Sequence, residues 1–314
     1  MSGLKKLLEK NKNKKTPDKK STHDIKVEEP KALPLPKEKP IQKKANTADQ
    51  CMIIIPDIHS YLRDKAAFEL CMEALPKLNK KYNVTKVIQL GDLLEGGETK
   101  THPTTNVYDV MPTYADEIEW ALKDFWKPVM KACPKANYYA LMGNHEHRLN
   151  KYIAKKLGAS DLSMTMFEDY SPKTHYEEMG IHVTPYGNED SRDGILEIFP
   201  GLVCVHGWSF AQNAARAHLN KLMGASSIIF GHTHRRDYNE QRNPVSNQTV
   251  GSWSIGALTK MNLAWQRGIP CDHTLGFAIV LTHGDSFNVF EMRINVTSSD
   301  KRKLQFPDGE VMVK

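Results

Sequence analysis

Five short polar clusters, each directly following an apolar run, restrict the folds available to this chain. Runs such as CMIII at 51–55 and YYALM at 138–142 have the length and composition of buried β-strands. In open α/β sheets, ligands bind beyond the carboxyl ends of the strands. The sequence therefore predicts that the clusters converge on one rim of the fold. They are Asp57-Ile58-His59, Gly91-Asp92, Gly143-Asn144-His145-Glu146, His206-Gly207 and Gly231-His232-Thr233-His234.

Helical sequence separates several of these runs, at 64–80, 113–132, 148–157 and 211–223. Thr113, followed by acidic residues in the next turn, is typical of a helix N-cap. Pro76 predicts a bend or an early end in the first helix. Beyond residue 245 the pattern indicates mainly strands. Strands that alternate with helices early and dominate late favour an α/β sandwich.

The N-terminal segment has a different composition from the rest of the chain. Residues 1–50 contain 14 lysines against seven acidic residues, whereas the net charge of all 314 residues is +6. The segment also lacks aromatic residues, so we predict a disordered basic tail at 1–48. A folded domain at 49–300, which carries the five clusters, and a C-terminal extension at 301–314 are expected to follow. The tail is either a solvated linker or an attachment for nucleic acid or another anionic partner.

Neither a membrane nor an oxidising compartment is expected. No apolar run approaches the roughly 18 residues of a membrane span, and the N-terminus lacks the apolar stretch of a secretory signal. The cysteines are odd in number and none has C-x-x-C spacing, which argues against a disulfide framework and a thiolate zinc site. Cysteines that remain as free thiols are typical of a reducing compartment, so we expect a cytoplasmic protein. The sequence leaves the oligomeric state open. The cysteines are Cys51, Cys71, Cys133, Cys204 and Cys271.

The side chains of the five clusters are chemically suited to a metal site. Carboxylate, imidazole and amide oxygen donors favour divalent ions such as Mn, Fe and Zn. D-x-H and GD are weak signals alone, and GNHE and GHTH are stronger. Their order and their shared position after strands make a two-metal site our interpretation. The candidate ligands are Asp57, His59, Asp92, Asn144, His206, His232 and His234.

The ordered set D-x-H, GD, GNH-[ED], H-G and GH-x-H, spanning residues 51–235, resembles the calcineurin-like metallophosphoesterase superfamily. The size and the GNHE-H-R cluster are similar to the short phage and bacterial branch related to DNA-repair exonucleases. The resemblance implies a four-layer αββα sandwich with two mixed β-sheets. It also implies two divalent ions, most readily Mn²⁺, with Fe, Zn, Ni and Mg as the alternatives. The first ion would be bound by Asp57, His59 and His234, and the second by Asn144, His206 and His232. Asp92 would bridge the two ions.

The resemblance also implies a mechanism in which a metal-bridged hydroxide attacks phosphorus. Asp92 and His145 are the expected catalytic residues. His145 would bind no metal and would instead donate a proton to the leaving oxygen. Glu146 is expected either to orient His145 or to pair with an arginine nearby.

The substrate is less constrained than the chemistry. A phosphodiester in DNA or RNA is the first expectation, and a small-molecule or nucleotide phosphodiesterase or phosphatase is the alternative. A protein phosphatase ranks lower, because GDLLEGG and LMGNHE lack the arginines of that branch, although Arg148 could partly substitute. A non-catalytic scaffold is also among the less favoured alternatives, because all seven ligand positions and His145 carry side chains suited to catalysis.

Several residues near the clusters have two interpretations. Trp208 and Phe210 could stack on a nucleobase or pack in the core. One of Arg235 and Arg236 could bind a phosphate of an extended substrate.

Other residues outside the clusters are assigned more simply. His102 and Tyr108, in the polar segment 95–112, belong either to a substrate wall or to a plain surface loop. His273 and His283 are predicted to be structural.

Overall fold

A computed structural model of the chain describes residues 48–100, 111–158, 160–187, 194–242, 247–261 and 271–314. The predicted tail lies outside these ranges except for Ala48, and so do His102 and Tyr108. Among the described residues, no helix has the length and apolar character needed to cross a membrane.

The chain forms thirteen strands and seven α-helices within the described ranges. The strands are β1 (Gln50–Ile55), β2 (Val84–Gln89), β3 (Asn137–Leu141), β4 (His182–Thr184), β5 (Ile195–Phe199), β6 (Leu202–Val205), β7 (Ser227–Phe230), β8 (Arg236–Arg242), β9 (Thr249–Ile255), β10 (Leu275–His283), β11 (Ser286–Val296), β12 (Arg302–Gln305) and β13 (Val311–Val313). The helices are α1 (Lys65–Tyr82), α2 (Tyr114–Trp120), α3 (Lys127–Ala132), α4 (Asn144–Leu157), α5 (Asp161–Tyr170), α6 (Pro172–Glu178) and α7 (Ala214–Lys221).

Local signals set most helix starts. The Thr113 hydroxyl accepts the N–H of Asp116, which confirms the predicted cap of α2. That helix continues through a π-helical segment, Ala121–Trp126, into α3. The expected early end at Pro76 is wrong, because α1 continues to Tyr82. Burial of its apolar face outweighs the hydrogen bond that proline removes.

Helix α4 begins four residues earlier than predicted, at Asn144. The third polar cluster therefore lies in the first turn of a helix. The N–H groups of a first helical turn have no partner within the helix. They are available to acidic side chains, and the N–H of His145 is indeed donated to Asp92 Oδ1 at 2.9 Å.

Both sheets are mixed, as expected. The larger one has the strand order β13-β12-β11-β10-β1-β2-β3-β4, in which β1 to β4 run parallel and the remaining neighbours are antiparallel. The smaller one has the order β5-β6-β7-β9-β8, with β6, β7 and β9 parallel. Residues 301–314, set apart by sequence as an extension, supply β12 and β13, the last two strands at one edge of the larger sheet.

Three apolar clusters separate four layers, which confirms the αββα sandwich. Strand residues alternate between neighbouring clusters, as the two-residue period of a strand requires. Ile53 packs toward the helices on the larger sheet, and Ile54 packs between the sheets. Likewise Cys204 lies between the sheets, whereas Val205 packs toward α7.

Candidate metal centre

Both sheets present polar side chains where their parallel strands end. Asp57 follows β1, Asp92 follows β2, and Asn144 begins α4 just after β3. His206 follows β6 and His232 follows β7. The seven side chains singled out from the sequence form one continuous set of contacts, described below.

The first group of donor atoms comes from Asp57, His59 and His234. The Nε2 atoms of the two histidines lie 3.0 Å apart, and His234 Nε2 lies 3.4 Å from Asp57 Oδ1. One donor atom from each residue falls within 4.8 Å of the others. All three side chains are buried.

The second group comes from Asp92, His206 and His232, with Asn144 beside it. His206 Nε2 lies 3.3 Å from Asp92 Oδ2 and 3.1 Å from His232 Nδ1. The Asn144 Oδ1 atom is 2.9 Å from the same nitrogen. These contacts place an amide oxygen, a carboxylate and two imidazoles around one point.

Asp92 connects the two groups. Its Oδ2 atom lies 3.3 Å from His206 Nε2 in the second group and 3.8 Å from His59 Nε2 in the first. Burial alone would raise the pKa of this carboxyl, but His145 and His206 hold it well below its ordinary value. A single carboxylate is thus available to both groups.

The chemistry of the donors fits divalent cations. A single N–H on His206 Nε2 could satisfy only one of the three acceptors around it, so these atoms are poorly matched to each other. The outer nitrogens are occupied, because His206 Nδ1 faces the Leu90 carbonyl at 2.9 Å and His59 Nδ1 faces Glu95 at 2.7 Å. Such outer bonds orient imidazoles so that the inner nitrogen is free for a metal.

The backbone at these positions is strained. Four of the seven candidate ligands have left-handed φ angles: His59 at 56°, Asp92 at 51°, His232 at 67° and His234 at 56°. This conformation costs a non-glycine residue roughly 1–3 kcal/mol. Strain of this kind persists where the surroundings fix the chain, and here it aims the side chains at shared points.

Glycines beside the ligands allow the strand ends to approach each other. Gly91 has a φ of 97°, and a Cβ there would lie 2.7 Å from the Gly143 nitrogen and from His206 Nδ1. A Cβ at Gly231 would lie 2.1 Å from Asp57 Oδ2. No L side chain fits either position without moving the site.

Glu95 is a site residue that the sequence did not reveal. Its Oε2 atom lies 2.7 Å from His59 Nδ1 and 3.1 Å from His145 Nδ1, and Lys100 pairs with its other oxygen at 2.6 Å. Burial opposes ionisation, but the bonds to His145 and His59 hold the pKa of Glu95 below its ordinary value. The only available signal was an acidic residue directly after Leu93 and Leu94, three positions beyond Asp92.

His145 lies beside Asp92 and the first donor group. Its Nε2 atom lies 3.8 Å from Asp92 Oδ2, and its ring is 4.4 Å from that of His59. Burial lowers the pKa of His145, yet Asp92 and Glu95 raise it above the ordinary value. His59, Glu95 and His145 also bring three donor atoms together. The Arg148 guanidinium, 2.9 Å from His145 Nε2, disfavours a cation at that third position.

Neither expectation for Glu146 describes its contacts. Its carboxylate accepts the backbone N–H groups of Asp92 at 3.0 Å, Leu94 at 2.9 Å and Gly143 at 2.8 Å. Glu146 is 3% exposed, so these bonds are shielded from water. The residue fastens the second polar cluster to the third.

The loop after His206 separates its two aromatic residues. The Trp208 ring stacks on that of His218 with centroids 5.4 Å apart, and the backbone N–H of Trp208 is donated to His218 Nε2 at 2.9 Å. Phe210 is 69% exposed, and its ring centroid lies 3.8 Å from that of His232. Packing is therefore the role of Trp208, and Phe210 lies at the rim.

Two further residues that were considered from the sequence lie near this rim. Arg235 pairs with Asp272 at 3.0 Å and donates to the carbonyls of Phe210 and Ala211, so it supports the loop. His273, predicted to be structural, has its ring 4.8 Å from that of His234 and thus borders the first group.

The calcineurin-like phosphoesterase model matches residues 52–236, which include all seven candidate ligands. The chain therefore belongs to the calcineurin-like phosphoesterase family. Members of this family typically bind two divalent metal ions. No curated protein sequence matches the chain.

Solved structures with similar folds include two of Vps29 from Chaetomium thermophilum. The first is 11% identical in sequence; the alignment covers 86% of the present chain and 96% of the Vps29 chain, with a TM-score of 0.40. The other, complexed with a cyclic peptide, has 10% identity, coverage of 84% and 94%, and a TM-score of 0.41. The nuclease MPE from Pseudomonas putida has 14% identity, coverage of 73% and 84%, and a TM-score of 0.30.

Replacing Glu95 should weaken the centre without unfolding the protein. Glu95→Gln keeps the shape but removes the charge that orients His59 and His145. Loss of such an outer-shell partner costs roughly 10–100-fold in metal affinity or activity. Titration calorimetry with Mn²⁺ measures the affinity, and Glu119→Gln, at an exposed glutamate of α2, is the matched control. Unchanged affinity and rate in Glu95→Gln would contradict this role.

His218 should make stability depend on pH. Burial lowers its pKa from 6.5 to about 4, although the Ala214 carbonyl opposes this. Because the folded pKa is depressed, its contribution is complete above pH 6.5 and is lost as pH falls toward 4. Between pH 7 and pH 5 the wild type should lose about 2 kcal/mol more than His218→Gln.

Urea unfolding of both proteins at the two pH values, with a chelator present to remove metal, measures this difference. Other titrating groups are shared by the two proteins and cancel. Equal losses in wild type and His218→Gln would show that His218 is not held neutral.

Proposed function

We propose that this chain is a phosphodiesterase dependent on two divalent metal ions, and that its substrate is a nucleic acid. The observation that carries the chemistry is the pair of donor groups sharing Asp92, with His145 beside them. The first ion would be held by Asp57, His59 and His234, and the second by Asn144, His206 and His232. When bound, the ions supply an activated water and neutralise charge on the phosphate.

The residues around the donor groups support proton donation to the leaving group. Asp92 and Glu95, whose Oε2 lies 3.1 Å from His145 Nδ1, outweigh burial and the nearby Arg148 guanidinium, so the pKa of His145 is raised and its charged form is favoured. A protonated imidazole can give its proton to a departing alkoxide. The sugar oxygens of nucleic acid leave as alkoxides and need this help, whereas more stable leaving groups do not.

The charges at the rim favour a diester. Among the described cations near the donor groups, Lys100 is paired with Glu95, and Arg235 with Asp272, while Arg148 lies against His145. A phosphate monoester carries about −1.5 to −2 charges at neutral pH and calls for more positive partners. A diester carries one negative charge. The 14 lysines within residues 1–50 add long-range attraction for a polyanion.

The test of this function is hydrolysis by purified protein with added Mn²⁺. Bis(p-nitrophenyl) phosphate should be cleaved in preference to p-nitrophenyl phosphate, and single-stranded or linear duplex DNA should be degraded. Asp92→Ala should lose metal binding and activity together, because Asp92 serves both donor groups. Asp285→Ala, in an exposed turn, should keep both.

Each other outcome has a clear meaning. Cleavage of a small diester without cleavage of DNA or RNA would indicate a nucleotide or small-molecule phosphodiesterase. Monoester-only activity would indicate a phosphatase. The absence of hydrolysis with Mn²⁺, Fe²⁺, Zn²⁺, Ni²⁺ and Mg²⁺ would refute the catalytic proposal and favour a scaffold.

His145→Ala should separate proton donation from metal binding. DNA cleavage should fall about 10²–10⁴-fold, because the alkoxide leaves without a proton. Hydrolysis of bis(p-nitrophenyl) phosphate should fall less, since p-nitrophenolate leaves without help. Mn²⁺ affinity from calorimetry should be retained, and His175→Ala on α6 is the control. Equal losses on both substrates would argue against the proton-donor role.

A further inference from the structure

Phe210 is a large apolar side chain that the fold leaves unburied beside the metal centre. One side of its ring lies against His232, with centroids 3.8 Å apart and planes at 41°. The residue is nonetheless 69% exposed. Core packing therefore does not account for it, unlike Trp208 two positions earlier, which stacks on His218.

The loop that carries Phe210 is fixed on both sides. Before Phe210, the backbone N–H of Trp208 is donated to His218 Nε2 at 2.9 Å. After it, Arg235 Nη2 donates to the Ala211 carbonyl at 2.7 Å and to the Phe210 carbonyl at 3.3 Å. Asp272 holds the same guanidinium at 3.0 Å. Binding to a ring that is already held in place loses little conformational entropy.

Close backbone packing also ties this loop to the candidate ligands. Gly207, between His206 and Trp208, has a φ of 141°, and a Cβ there would lie 2.6 Å from the His232 Cβ. The loop thus runs directly against His232. The close approach of Gly207 to the His232 side chain sets the position of the loop relative to the second donor group.

We propose that Phe210 is the platform on which a nucleobase of the substrate stacks. This inference rests on the proposed function, because it assigns a nucleotide to the phosphodiester bound at the metals. Stacking on an aromatic ring suits any base, since every base has an aromatic face. The chain would therefore recognise nucleotides without selecting a sequence.

The position of the ring also indicates which side of the scissile phosphate it serves. His145, the proposed proton donor for the leaving group, has its ring 4.4 Å from that of His59 in the first donor group, and it lies 3.8 Å from Asp92, which both groups share. Phe210 contacts His232, in the other donor group. The stacked base accordingly belongs to the nucleoside that stays attached to phosphorus, while the leaving oxygen departs beside His145.

Two diesters with the same leaving group test this assignment. Thymidine 5′-(4-nitrophenyl phosphate) carries a base on the retained side, and methyl 4-nitrophenyl phosphate does not. Phe210→Ala should raise KM for the thymidine ester about tenfold and leave kcat within about twofold. KM for the methyl ester should stay within about twofold of wild type.

Two control variants test whether the effect requires an aromatic ring at position 210. Phe210→Trp keeps an aromatic platform and should retain the low KM for the thymidine ester. Met223→Ala removes another exposed apolar side chain, 90% exposed, from the turn that precedes β7. This variant should match wild type on both esters, because Met223 lies near the amino end of β7, whereas the metal centre lies beyond its carboxyl end.

The outcomes that would overturn the inference are distinct. Equal loss on both esters would show that Phe210 only supports His232, and no loss on either would show that the ring is not used. A wild type that favours the thymidine ester no more than the methyl ester would also refute it.

A binding measurement keeps the inference testable if the proposed function fails. If wild type hydrolyses neither ester, calorimetry with Mn²⁺ should still show tighter binding of thymidine 5′-monophosphate than of methyl phosphate. Phe210→Ala should reduce the first affinity about tenfold and leave the second unchanged. Equal affinities for the two ligands in wild type would refute the stacking role, independently of any activity.

Discussion

The rest of the metal centre depends on the burial of two carboxylates. Asp57 is 0% exposed and Asp92 is 2% exposed, at the place where the ends of both sheets meet. A carboxylate removed from water is costly unless positive charge or hydrogen bonds compensate it. Nearby imidazoles supply part of the compensation, and two divalent cations would complete it. The left-handed ligand backbone and the outer bond of Glu95 to His59 are consistent with this requirement.

His145 and Glu146 are adjacent in the chain, but their side chains contact different parts of the site. His145 turns its side chain toward Asp92 and Glu95, whereas Glu146 turns its carboxylate toward main-chain N–H groups. Those N–H groups belong to the strand ends after β2 and β3, which no secondary-structure ladder satisfies there. An unpaired buried N–H would cost about 1–3 kcal/mol. One acidic side chain therefore keeps the strand ends in place, while the side chain of its neighbour faces the donor groups.

Much of the fold followed from the sequence because its signals are local. The apolar runs gave the strands, Thr113 gave a helix start, and the order of the polar clusters gave the family. Contacts between distant segments were not accessible in this way. The Glu95 side chain bonds to His59, 36 positions away, and the Glu146 side chain to the N–H of Asp92, 54 positions away, so the roles of both residues depend on tertiary structure. His273 looked ordinary for the same reason, since His234 is far away in the chain.

Each donor group draws on both sheets. Asp57 and His59 follow a strand of the larger sheet, and His234 follows a strand of the smaller one. The second group likewise combines Asp92 with His206 and His232. Neither half of the sandwich can assemble a complete binding site alone. Metal binding would therefore require the two sheets to be packed against each other, and a bound ion would link residues of both sheets.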